Sequence, residues 1–97
     1  MKTMKIKVIY LGVVRHKAGK KEEEYELAEG SSVRDLLSRI VEVHGELKGI
    51  INGEGESPVD PTLIATLNNS TINLKSGSKI KLRNGDVLTL MTVIGGG

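Results

Sequence analysis

The clearest element in this chain is a single amphipathic helix, and one helix can cover only one face of one sheet. Val33, Leu36, Leu37, Ile40 and Val41 recur at i, i+3, i+4, i+7 and i+8, the spacing that lines one side of a helix. Arg34, Ser38, Arg39 and Glu42 fall mainly elsewhere. Gly30-Ser31-Ser32 opens the helix, with Ser32 as cap and Asp35 three residues on as a short-armed capping box. Gly45, following His44, is expected to stop it by taking the left-handed conformation that only glycine adopts without a Cβ clash.

What the helix covers is read from alternation. Between Met4 and Val14, Lys5 and Lys7 alternate with Ile6, Val8 and Tyr10, which predicts a strand with one buried face. Ala18-Gly19 reads as a turn region leading to Glu22–Ala28, where Tyr25 and Leu27 alternate with Glu24 and Glu26. The two runs predict a β-hairpin joined by a short polar turn. From Glu46 to Pro61 the pattern dissolves: Leu47, Ile50 and Ile51 suit one more apolar turn, and Gly53–Pro58 has loop composition. Thr62–Asn68 is a third strand with Leu63, Ala65 and Leu67 on one face, ended by Asn68-Asn69 because asparagine tolerates turn conformations. Thr71–Leu74 and Lys79–Leu82 are each short enough for an edge strand, and Asn84-Gly85-Asp86 is a tight turn. In the last strand, Val87–Val93, Leu88 and Leu90 should face the helix, leaving Met91 and Val93 on the open face as a docking patch. The expected fold is α+β: one mixed sheet with a helix packed on one face, in one domain.

Composition removes several classes of function. With no Trp or Phe and only Tyr10 and Tyr25 as aromatics, the chain has no platform for stacking bases. Its net charge of +2 is too small to announce a polyanion, and Arg15-His16-Lys17 and Lys20-Lys21 read as a solvated loop, so no nucleic-acid partner is expected. The absence of cysteine excludes disulfides, thiolate metal sites and a thiol nucleophile. His16 and His44 are far apart and lack metal-site spacing, so neither a metal nor another cofactor is expected. No apolar run approaches the roughly 20 residues that span a bilayer, so a soluble cytoplasmic protein without a membrane partner is the expectation.

The chain closes on Val93-Ile94-Gly95-Gly96-Gly97. Glycines at a terminus can thread a narrow channel and leave the last carbonyl carbon unhindered. A terminal carboxylate, ionised at neutral pH, is a poor electrophile until adenylation by ATP supplies a leaving group. Attack by sulfur then yields a thiocarboxylate, and attack by an amine yields an amide. An inert tail is the remaining alternative.

Over nearly its whole length the sequence resembles the MoaD/ThiS sulfur carriers and their ubiquitin-like relatives. The resemblance lies in Met4–Tyr10 followed by Val14-Arg15 and Gly19, the helix after Gly30-Ser31-Ser32-Val33, Leu67-Asn68, Asn84-Gly85-Asp86 and the terminal Val93–Gly97. It implies a ubiquitin-like β-grasp domain over residues 4–94 and a glycine tail over 95–97. It implies that Gly97 is adenylated and thiocarboxylated, with Gly96, and behind it Gly95 and Ile94, entering the adenylating enzyme. Molybdenum cofactor biosynthesis is the leading context. The chain would be a cosubstrate, the non-catalytic small subunit of molybdopterin synthase, with the large subunit as partner. Met91-Thr92, where many molybdopterin carriers have two prolines, and the third glycine leave open a ubiquitin-like modifier conjugated to lysines or a sulfur donor for tRNA thiolation.

Overall fold

The computed structural model describes residues 2–51 and 62–92 of the 97. The Gly53–Pro58 loop, Val93, Ile94 and the three terminal glycines lie outside the described residues.

Strand β1, Thr3–Tyr10, follows its alternation: Met4, Ile6, Val8 and Tyr10 are buried, and Lys5 and Lys7 are exposed. It does not continue to Val14. Gly12, at φ 61°, breaks the strand and a six-residue helix α1, Val13–Ala18, follows, so the hairpin connection is helical rather than a short turn. Val14 packs into the core, and Gly19, left-handed at φ 77°, ends α1 by donating its N–H to Arg15 O. Strand β2, Glu22–Ala28, then returns antiparallel to β1, from Ile9↔Glu22 to Thr3↔Ala28.

The main helix α2, Val33–Val43, starts as its sequence predicts. The Ser32 side chain accepts from Asp35 N at 3.3 Å, and Ser32 N donates to Asp35 Oδ2 at 2.8 Å. Its buried residues are Val33, Leu36, Leu37, Ile40 and Val41, the five picked out by spacing. Gly45 does not play the expected part. His44 is the C-cap, with ordinary negative φ, and Gly45 begins a 3₁₀ turn, Gly45–Gly49, that brings Leu47, Ile50 and Ile51 into the core.

Strand β3, Leu63–Leu67, turns into β4, Ser70–Ile72, through Asn68 and Asn69 at φ 51° and 71°, the paired positive angles of a two-residue hairpin turn. A 3₁₀ segment, Leu74–Lys79, fills the interval between the two stretches expected as edge strands, of which the first is met by β4. Of Lys79–Leu82 only an isolated bridge, Ser32↔Lys81, is strand-like. Strand β5, Val87–Thr92, inserts at the centre, giving the order β2-β1-β5-β3-β4. It runs parallel to β1 and antiparallel to β3. Leu88 and Leu90 are fully buried among the core residues and Met91 lies half-buried on the opposite face, as alternation predicts. The result is an α+β domain with one mixed sheet.

Candidate functional site

Because β1 and β5 are parallel and β2 is antiparallel to β1, Tyr10, Leu90 and Glu22 meet at one end of the sheet. From that end the chain leaves β5 toward Gly97, so residues around Tyr10 and Thr92 frame the exit. Leu11 N donates to Leu90 O at 3.0 Å and Tyr10 N to Lys21 O at 2.8 Å, which draws both ends of the α1 connection onto the sheet. A Cβ placed on Gly12 would stand 3.8 Å from Thr92 O, so α1 begins beside the exit.

Under this connection lies a polar cluster that the sequence reading did not find. Glu23 Oε1 meets Tyr25 OH at 2.7 Å, Tyr10 OH at 2.9 Å and His44 Nε2 at 2.7 Å. The two tyrosine hydroxyls are themselves 2.8 Å apart, so two hydroxyl hydrogens serve three short contacts. An ionised carboxylate can only accept, so Nε2 is the protonated nitrogen of His44. Its ring stands edge-on to Tyr10, centroids 5.8 Å apart. Partial burial by itself would raise the Glu23 carboxyl; hydrogen bonds from His44, Tyr25, Tyr10 and Lys20 outweigh it and hold the group down at about 2. Burial first, and the Glu23 carboxylate with it, pushes both phenols above the ordinary tyrosine range. A signal for the cluster was present: Glu23 is two residues before Tyr25, on the inward side of β2, though it sits within a run of three glutamates.

The cluster also anchors the connection above it. Lys20 Nζ pairs with Glu23 Oε2 at 3.2 Å, and Arg15 Nε donates to Tyr10 O at 3.0 Å. Gly12, Arg15, His16, Gly19, Lys20 and Lys21 line a shallow hollow there. On the face of the sheet away from α2, Met91 stands opposite Ile64 in the β3–β5 register, and Ile9 points to the same side, all three half-buried. Val93, expected to share this face, and the site residues Ile94, Gly95, Gly96 and Gly97 fall outside the described residues. Thr92 turns inward, and its Oγ1 is buried without a hydrogen-bond partner among the described residues. Among the described residues no three His, Asp or Glu side chains gather as a metal site, and no helix is long and apolar enough to cross a membrane.

Residues 8–97 match the ThiS family. A molybdopterin synthase sulfur carrier subunit from Chlamydomonas reinhardtii is 29% identical over 94 residues, covering 97% of this chain and 100% of that one. A solved structure from Pyrococcus furiosus, a putative molybdopterin converting factor subunit 1, is 33% identical with a TM-score of 0.73, over 92% of this chain and 97% of its own. SAMP1 from Haloferax volcanii, a modifier by its name, is 20% identical with a TM-score of 0.79 over 96% and 99%, a likeness of fold. With its helix-covered mixed sheet and a match running through the last strand to Gly97, this chain belongs to the ThiS family, a MoaD/ThiS-like carrier on the ubiquitin-like β-grasp fold.

Proposed function

We propose that the chain carries sulfur on the carboxyl carbon of Gly97, in the assembly of molybdopterin. The observation that carries this reading is the family match through residue 97, joined to a fold whose central strand delivers the chain toward that residue. The Gly97 carboxylate attacks the α-phosphate of ATP, releasing pyrophosphate and forming an acyl-adenylate. A sulfide equivalent adds to that carbonyl carbon and AMP departs, leaving a thiocarboxylate. Transfer of the sulfur to the acceptor, with a water oxygen taking its place, restores the carboxylate. None of these steps calls on a side chain of the carrier, in keeping with a chain that has no cysteine. The catalytic groups belong to its partners, an ATP-dependent adenylating enzyme and the large subunit of a molybdopterin synthase. Gly96 and Gly95 let the terminus thread an enzyme channel, while Met91 near the end of β5, together with Val93 after it in sequence, seats the domain against it.

Removal of Gly96 and Gly97 is expected to leave the thermal melt unchanged and to abolish ATP–pyrophosphate exchange with the adenylating enzyme. Activation of the truncated chain would overturn the reading. Intact-mass measurement of protein from its native cell should show one oxygen of the terminus replaced by sulfur. Branched peptides joining this terminus to target lysines, without that replacement, would instead assign the chain to protein modification.

A further inference from the structure

The surface around the exit of β5 carries a charge imbalance that the fold does not use. Residues 11–21 hold four of the fourteen lysines and arginines and none of the twelve acidic residues, more positive charge than the chain's net +2. Arg15, His16, Lys17, Lys20 and Lys21 are all exposed. Lys20 is paired with Glu23, and Arg15 spends one N–H on Tyr10 O. Among the described residues, no ion pair engages Arg15, His16, Lys17 or Lys21. Like charges gathered on one short segment repel one another, whereas elsewhere Lys7 pairs with Glu22 and Arg39 with Glu42. Two of the cations are also held in place, Arg15 by the Tyr10 carbonyl and Lys20 by Glu23.

We infer that this cationic arch is a docking surface for an acidic patch at the active-site entrance of the adenylating enzyme that receives the tail, distinct from the apolar open face. The inference rests on the proposed function and names the chemistry of its partner's entrance. Gly97 is the fifth residue after Thr92, a reach of at most about 18 Å. An enzyme holding the Gly97 carboxylate in its active site must therefore cover the exit, and its rim meets Arg15, Lys17 and Lys21 before the tail is threaded. Opposite charge at that rim raises the rate of productive encounter and orients the domain. A nucleic acid is a poorer fit, because both tyrosines are buried and no exposed aromatic accompanies the cations.

The test compares the full chain with the double variant Lys17→Glu, Lys21→Glu, two exposed side chains outside the polar cluster. A control, Lys75→Glu, Lys79→Glu, makes the same change of net charge on the 3₁₀ segment away from the exit. ATP–pyrophosphate exchange with the adenylating enzyme of the same organism is measured from low to high salt, alongside thermal melts. The expected result is a KM raised about tenfold at low salt in the arch variant alone, with kcat and melting temperature unchanged, and a wild-type KM that climbs toward the variant's as salt is added. Equal KM values in the two variants, with wild type active, would overturn the arch and leave the sulfur-carrier reading standing. Absence of both exchange and calorimetric binding for wild type would overturn both. Salt-sensitive binding of a duplex DNA or RNA probe, lost in the arch variant while exchange is unaffected, would assign the cations to nucleic acid and overturn the protein-docking inference.

Discussion

At the end of the sheet where β1 begins, polar side chains close onto the backbone. Asn68 Oδ1 accepts from Val87 N at 2.9 Å, Asn68 Nδ2 donates to Asp86 Oδ1 at 2.9 Å, and Asp86 Oδ2 accepts from Arg83 N at 2.8 Å. Asn84 Oδ1 accepts from Lys5 N at 2.8 Å. At the opposite end, where β5 stops, side chains bond mainly to one another around Glu23, and of the cations above them only Lys20 has an ion-pair partner among the described residues. The first end uses its polar groups to terminate strands. The second supports an unsatisfied surface beside the chain exit, and an unsatisfied surface is one that a partner can complete.

Substitutions can break or sharpen that contrast. The reference is the shared core: Leu37→Ala should cost about 2–5 kcal/mol in urea titrations through lost burial and a residual cavity. A loss no larger than that of an exposed position would mean that α2 does not hold the sheet. Next is Glu23→Gln, expected to cost about 1–3 kcal/mol, since an amide oxygen accepts less strongly than a carboxylate and its NH₂ adds donors where donors already converge. Its effect should depend on pH with a definite sign. Glu23 is held down at about 2 from an ordinary 4.5, so its stabilisation is full above about 4.5 and drains as pH falls toward 2. The gap between wild type and Glu23→Gln should narrow over that window; a constant gap would show that the carboxylate charge does not matter.

Smaller effects separate binding from folding. Met91→Asp should weaken binding to the adenylating enzyme or the large subunit about tenfold, near 1.4 kcal/mol, with little change in melting temperature, read by calorimetry. Unchanged binding would remove Met91 from the docking face. Asn68→Ala should do the reverse. It should cost about 1–2 kcal/mol of stability, from the positive φ of 51° and the lost bonds to Val87 and Asp86, and leave activation unaltered. Impaired activation at matched stability would show that the strand-terminating end is not inert after all.

The same contrast marks what could be read from sequence. The α2 face, its Ser32–Asp35 box, the Asn68-Asn69 turn and the two sides of β5 were legible, because each rests on periodicity or turn chemistry within a few residues. Helix α1 was not: six residues give too little periodicity, and only the positive φ of Gly12 and Gly19 marks its bounds. Gly45 misled because the backbone enters a 3₁₀ turn through His44, which removes the need for a left-handed residue. The Glu23 cluster draws on β1, β2 and the end of α2, and contacts spanning up to 34 positions leave no local trace.

Placing β5 at the centre of the sheet has a mechanical consequence. A tug on the terminal residues is transmitted along the axis of β5, which is bonded to β1 on one side and β3 on the other. With the domain seated against an enzyme's mouth, such a load shears both ladders at once instead of peeling bonds away one by one, as it would at an edge strand. For the proposed role, this means that a terminus drawn into an enzyme's active site would load two ladders together and leave the strand paired.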